Sequence, residues 1–242
     1  MIALLKRAYL ALIAVDAETP RVIEMIASAL GESNGAVLDV GCGYGRYLRR
    51  LAGSGIDATG VDVNVDIVRA NRSRGLKSMT PQEYRASGVR PKVVLMAHVI
   101  EHFAPRDLIE FIDGWLDTMA DGGELVIVTP LMSPHFYDDF DHLKPYHPDG
   151  IQMVFGGSGA QVQYWSRHRL VLVDVIFRRT PWRATLARGL YVGGAAGWPF
   201  HAANALAALA FRLSAGLIGR KTGWMGRFRK ITRESPAGSA SN

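Results

Sequence analysis

Over its first 180 residues the chain alternates between short apolar runs and stretches where apolar residues recur at helical spacing. Ala36–Val40 (AVLDV) is an apolar run ending on Gly41, the pattern of a buried strand that feeds a tight turn. Tyr44–Ala52 follows with Tyr47, Leu48 and Leu51 on one side of a helix. ATGVDV (Ala58–Val63) reads as a second strand with a helix over Asp66–Arg74, and Leu76–Met79 as a third, stopped by Thr80 and Pro81. Lys92–Ala97 (KVVLMA) holds four successive apolar residues after its lysine, which predicts a central strand covered on both faces. A helix over Pro105–Met119 buries Leu108, Phe111, Ile112 and Leu116, and Asp121-Gly122-Gly123 turns the chain into a fifth strand, Glu124–Thr129. Gln161–Trp165 and Leu170–Phe177 are predicted to close the sheet as an antiparallel pair. The alternation predicts an α/β fold, a doubly wound and mostly parallel sheet spanning residues 1–180.

From Arg178 onward strand-like runs vanish and Ala and Gly dominate. Leu206, Leu209, Ala210, Leu213 and Leu217 mark one face of a helix, so residues 181–234 are expected to form a helical extension. The last eight residues, SPAGSASN (235–242), are expected to be a disordered tail. Val192–Phe211 is an uncharged run long enough for a bilayer span, but it is rich in Ala and Gly and contains Pro199 and His201, which is too weakly hydrophobic for one. The opening MIALLKRAYLALIAV reads as an amphipathic helix and not a secretory signal, because Lys6 and Arg7 interrupt its apolar residues and Asp16 and Glu18 follow.

Composition narrows the class. With 242 residues, 48% hydrophobic and 21% charged, the chain has the apolar side chain for one large α/β domain with an appendage, and is neither disordered nor fibrous. A single cysteine, Cys42, excludes an intramolecular disulfide and a cysteine-rich zinc module, and fits a reducing, cytoplasmic compartment. The net charge of +6 conceals a polarised molecule. Residues 1–165 hold fifteen Lys/Arg against twenty Asp/Glu, a net of −5, whereas residues 166–242 hold thirteen against two, a net of +11. The basic end, with Arg220, Lys221, Arg227, Arg229, Lys230 and Arg233 clustered, is expected to seek an anionic partner.

The candidate chemistry begins at VLDVGCGYGRYL (Val37–Leu48). A strand that ends in glycines and opens a helix brings backbone close to a ligand at a helix N-terminus. The dinucleotide fingerprint requires glycine at the first, third and sixth positions, but here Gly41, Gly43 and Gly45 take the first, third and fifth. A P-loop is excluded because no Gly-Lys-Ser/Thr follows. Asp39 precedes the loop, and Asp62, at the end of the next strand, can accept hydrogen bonds from ribose hydroxyls. The pattern asks for a nucleoside with free ribose hydroxyls and no pyrophosphate.

With LDVGCGYG, GVDV, VVLMAHVIEHF and DGGELVIVTP in this order, the chain resembles the class I S-adenosylmethionine-dependent methyltransferases over residues 20–177. The resemblance implies a Rossmann-like sheet of seven strands and S-adenosylmethionine as cofactor. It implies that Gly41 and Gly43 pack against the methionyl part, Asp39 approaches its amino group, and Asp62 holds the ribose. Val63 would lie against the adenine, Thr80 near the adenine edge, and Ala97 on the sulfonium side.

A hydroxyl acceptor would also need a general base. His98, His102, His135, His142 and His147 all follow the fourth and fifth strands, on the edge where an open α/β sheet binds ligands. His98, Glu101 and His102 spell H-x-x-E-H, an inverted zinc-protease motif, but off a strand end and not within a helix. The segment instead resembles the E-x-x-E-H run of ubiquinone-type O-methyltransferases, where a divalent metal can sit. His98 stands in place of the first acid, which leaves the metal open. HFYDDFDHLKPYHPDG (His135–Gly150) resembles a segment of glycan-pathway methyltransferases and is expected to be a substrate-facing lid with His142 as base.

These readings converge on an S-adenosylmethionine-dependent O-methyltransferase acting on a hydroxyl of a glycan or lipid-linked saccharide. His142, His102, Glu101 and His98 are its candidate catalytic residues. A membrane-embedded phenol or quinone-type acceptor is the alternative, with RNA methylation behind it. The basic extension is expected to meet the anionic cytoplasmic face of a membrane peripherally, which suits it better than nucleic acid.

Overall fold

The computed structural model describes residues 2–33, 35–157 and 163–231. Its helices and strands run in the order α1 (Ile2–Ile13), α2 (Thr19–Leu30), β1 (Val37–Val40), α3 (Arg46–Gly53), β2 (Ala58–Val61), α4 (Val65–Ser73), β3 (Ser78–Met79) and α5 (Pro81–Ala86). They continue with β4 (Val93–Ala97), α6 (Pro105–Leu116), β5 (Glu124–Pro130), α7 (Pro148–Phe155), β6 (Arg169–Thr180), α8 (Arg188–Val192), α9 (Trp198–Leu213) and β7 (Arg220–Ile231). The seven strands form one sheet in the order β3-β2-β1-β4-β5-β7-β6. The first five are parallel, and the sheet ends antiparallel.

The chain divides into two compact units, Met1–Pro20 with Phe177–Gly223 and Arg21–Ile176 with Trp224–Asn242. β6 and β7 supply residues to both. In the larger unit β1, β4 and β5 are buried along almost their whole length, because helices cover both faces. One face packs Val37, Val93, Leu95, Val126 and Val128 under Val22, Met25 and Ile26 of α2 and Tyr47 and Leu51 of α3. The chain leaves β1 toward β2 and β3 on one side and returns to β4 and β5 on the other. The carboxyl ends of β1 and β4 therefore flank the point where the winding reverses, which is where such sheets bind ligands.

The last strand departs from the expected helical extension. Gly223–Gly226, Phe228 and Lys230 are buried, and Trp224 donates its indole N–H to Tyr146 O at 2.7 Å. The clustered cations there serve the fold. Arg229 donates to Glu124 Oε1 at 2.9 and 3.0 Å, Arg227 lies 3.3 Å from Glu124 Oε2, and Lys230 caps the carbonyls of Leu116 and Met119. A basic run reads as surface in sequence, but here Arg227, Arg229 and Lys230 each meet a carboxylate or a helix-end carbonyl, while Lys221 stays exposed over the Phe177 ring.

The predicted closing pair also differs. Residues 163–165 form no strand, positions 161–162 fall outside the described residues, and β6 pairs with β7. Arg233 and the expected tail likewise fall outside them.

In the smaller unit α1 forms as predicted, and its exposed C-terminal carbonyls are capped from afar. Arg212 donates to the carbonyls of Ala11, Leu12 and Ala14, and Arg183 to that of Ile13. This supplies the positive charge that α1 lacks in its own last turn. No described helix is long and apolar enough to cross a membrane.

Glu124 is the anchor of β7. Glu124→Ala should cost about 2–3 kcal/mol, below the full loss for a buried pair because Arg229 is half exposed. The measurement is the urea midpoint, and an unchanged midpoint would remove Glu124 from this role.

Candidate active site

The turn from β1 into α3 is built on three left-handed backbone positions, Gly41 (φ 73°), Gly43 (φ 48°) and Gly45 (φ 74°). Val61 O accepts from the N–H groups of both Gly41 (2.8 Å) and Cys42 (3.0 Å), which clips the turn to the end of β2. Gly43 N–H donates to Asp62 Oδ2 at 3.0 Å, and Asn64 N–H donates to Asp62 Oδ1 at 2.9 Å. Asn71, fully buried on α4, donates to Gly43 O at 2.7 Å. Sequence reading missed Asn71, although a polar residue on the buried face of a helix beside Val68 was a signal for it.

The two inner glycines differ in what a side chain would meet. A Cβ on Gly41 would lie 2.5 Å from Val99 Cγ2, so the turn packs directly against the segment after β4. A Cβ on Gly43 would project into open space with nothing within 4 Å. That space is a cradle formed by backbone alone.

Asp39 lies beneath the turn, almost wholly buried, and its Oδ2 has no hydrogen-bond partner. Burial, and then the nearby Asp62 carboxylate, push its pKa up to about 7. A buried carboxylate with a free oxygen asks for a cationic donor. Asp62, held by two backbone N–H groups, keeps lone pairs for further donors. Val63, beyond it, is 84% exposed and offers a flat apolar contact. Thr80 sits at the end of β3, where its hydroxyl caps α5 by accepting from Glu83 N–H at 3.2 Å, and Ala97 ends β4, half-buried. Burial raises the Cys42 thiol to about 12, which removes it as a nucleophile. An orphaned buried carboxylate, an open backbone cradle and a pinned second carboxylate fit the amino group, methionyl chain and ribose of S-adenosylmethionine.

A second cluster follows β4. His98 adopts φ 58°, a left-handed conformation rare outside glycine and often found at functional sites. Its Nδ1 lies 3.3 Å from Oε1 of Glu101, which is fully buried. Thr129 donates its hydroxyl to Glu101 Oε2 at 2.9 Å. The loop after β5 is tied to this segment, because Leu143 and Lys144 N–H donate to Glu101 O and Tyr146 OH donates to Phe103 O. The expected lid is therefore a fastened wall.

These ties bring His142 beside His102, with ring centroids 5.0 Å apart. His142 Nδ1–H donates to Phe136 O at 2.6 Å and His102 Nδ1–H to Asp141 O at 3.1 Å. A carbonyl can only accept, so both neutral rings carry their proton on Nδ1 and present a lone pair at Nε2. His142 Nε2 lies 4.0 Å from Glu101 Oε1 and 3.7 Å from Asp139 Oδ2. Glu101, His102 and His142 offer ligand atoms within 4.8 Å of one another, a donor set that also suits a divalent metal. His135 pairs with Asp138 and His147 with Asp149, apart from this trio.

The strand order and the glycine turn with its two carboxylates at the switch point define the S-adenosylmethionine-dependent methyltransferase fold. A profile of the methyltransferase domain family matches residues 15–198, and the chain belongs to that family. Among solved structures, an S-adenosylmethionine-dependent methyltransferase from Archaeoglobus fulgidus aligns with TM-score 0.56 and 21% identity, over 88% of this chain and 92% of that one. Among curated proteins, a ubiquinone biosynthesis O-methyltransferase of Xylella fastidiosa is 25% identical over 122 residues, 48% of this chain and 50% of that protein. That of Bordetella avium is 39% identical over 73 residues, 30% of each. The chain spans about half the length, or less, of these curated relatives.

Two outcomes test the cofactor site. Gly43→Ala should lower stability by about 1 kcal/mol, the cost of its left-handed backbone, while S-adenosylhomocysteine binding falls at least about tenfold because the new methyl fills the cradle. Thermal melting and calorimetric titration read the two effects separately. Asp39 has its folded pKa raised above 3.8, so its ionisation disfavours the ligand-free fold, whose stability declines as pH rises toward 7. A ligand ammonium selects the ionised form. Affinity should therefore climb by up to about tenfold per pH unit below 7 and level off above it, and Asp39→Asn should flatten the profile.

Proposed function

We propose that the chain is an O-methyltransferase that activates an acceptor hydroxyl with His142. The observation that carries this reading is the tautomer of His142. Its Nδ1–H is held by Phe136 O, so the lone pair at Nε2 is free to take a proton. Two carboxylates, Glu101 and Asp139, stand within 4.0 Å of that nitrogen to stabilise the imidazolium that forms. S-adenosylmethionine, when bound, would supply an electrophilic methyl group whose C–S bond breaks in the transfer, the electron pair leaving on sulfur as the neutral thioether S-adenosylhomocysteine.

The chain's own residues do the rest. Asp39, Asp62 and the glycine turn hold the cofactor at the ends of β1 and β2. Val99, packed on Gly41, couples that turn to the segment carrying Glu101 and His102. His142 removes the hydroxyl proton as the new C–O bond forms, and Glu101 holds the wall in register through its main-chain oxygen. The same three donors could hold a metal, but no step of this proposal requires one.

For the acceptor, the reading we favour is a hydroxyl of a glycan or lipid-linked saccharide. Phe140, 97% exposed, and the exposed Tyr137 lie on the wall after β5, and Tyr137 connects to His142 through edge and tilted ring contacts with Phe136. Exposed aromatic rings suit stacking on a sugar face. A phenol or quinone-type acceptor is the second reading, supported by the names of the ubiquinone-pathway relatives.

His142→Ala should reduce kcat by on the order of 10²–10⁴ with the affinity for S-adenosylhomocysteine unchanged. The assay follows methyl label from S-adenosylmethionine into glycolipid and phenolic-lipid fractions, which also separates the two acceptors. An undiminished rate in the variant would remove His142 as the base.

A further inference from the structure

The smaller unit presents an apolar face that its own fold does not cover. In α9 the residues turned inward are Ala208 and Phe211. Trp198, Ala202, Leu206, Leu209 and Leu213 recur at i, i+4, i+8, i+11 and i+15, which places them in one stripe on the other side. Trp198, Leu206 and Leu213 are 73%, 67% and 81% exposed, and Leu217 and Ile218 extend the apolar surface past the helix end. A helix of ordinary solvated character would show polar residues on this side.

Charge decides what covers it. The unit comprises Met1–Pro20 and Phe177–Gly223, which together hold nine Lys/Arg and two Asp/Glu, a net of +7. Neither acid offers a free counter-charge, since Glu18 is buried against Arg178 and Asp16 caps α2 by accepting from Thr19 N–H. Two copies of so basic a unit repel each other, which disfavours self-association through the stripe. Nucleic acid would match the charge but cannot bury four large apolar side chains. A bilayer surface rich in anionic lipid satisfies both features. α9, at 16 residues, is about 24 Å long, short of a hydrocarbon core of about 30 Å, so it can lie in the interface but not span it.

We propose that the outward stripe of α9 is a monotopic anchor that seats this unit on an anionic bilayer. Trp198 enters at headgroup depth, Leu206, Leu209 and Leu213 enter the acyl boundary, and exposed cations such as Arg7 and Arg188 meet lipid phosphates. The proposal is independent of the methyl acceptor and of His142.

The test uses the full chain with mixed phosphatidylglycerol–phosphatidylcholine vesicles and with pure phosphatidylcholine vesicles. Flotation is expected with the anionic vesicles only, with a blue shift of tryptophan emission that disappears in Trp198→Phe. Leu206→Glu with Leu213→Glu should weaken partitioning at least about tenfold, and Arg7→Glu or Arg188→Glu by about fivefold each at low salt. An unchanged melting temperature and unchanged S-adenosylhomocysteine affinity show that the leucine variant folds. Three outcomes overturn the proposal: no flotation of the wild type, equal flotation of the folded leucine variant, or a dimer in sedimentation that the leucine variant dissociates.

Discussion

The structure at the sheet edge depends on a carboxylate from one strand holding the backbone of the turn after another. Asp62, at the end of β2, accepts from Gly43 N–H, while Val61 O accepts from Gly41 and Cys42. Together they fix three consecutive residues of a turn that contains three left-handed glycines within five positions. Without that clip, glycine-rich backbone would retain its conformational entropy, and neither the cradle at Gly43 nor the close packing of Gly41 on Val99 would persist.

That packing carries the constraint into the second cluster. Val99 lies between His98, held at positive φ, and the buried Glu101, so the glycine turn, the strained residue and the buried acid form one continuous assembly. Glu101 works through both ends of its structure. Its side chain accepts from Thr129 at the end of β5, and its main-chain oxygen accepts from the loop that delivers His142. His142 and the glycine turn are thereby referred to the same two strand ends.

The basic residues of the C-terminal third divide into two sets with different physics. Arg227, Arg229 and Lys230 of β7 are held inside the larger unit, by Glu124 and by helix-end carbonyls. In the smaller unit Arg183 and Arg212 cap α1, Arg178 pairs with Glu18 and Arg179 donates to Leu217 O, while Arg7, Arg188 and Lys221 remain exposed. An identical formal charge therefore stabilises the fold in one stretch and stays in solvent beside an apolar helix face in the other.

What the sequence determined by itself was whatever depends on local period and on residue type at fixed spacing. The five parallel strands, the helices α3, α4 and α6 and the glycine–acid pair were legible because burial on both faces demands continuous apolar runs, and a tight turn demands glycine, whereas the short α5 after β3 was not read. Strand limits shifted by a residue or two, and β7 was hidden because its basic residues mimic a solvated surface until Glu124 is brought to them. Tertiary structure alone decided that Asp39 is orphaned, that Asn71 holds the glycine turn, and that His142 faces Glu101. It also left Leu206, Leu209 and Leu213, which the helical period had already grouped on one face, without a covering element. Each of these depends on contacts between residues far apart in the chain, and periodicity carries no information about those.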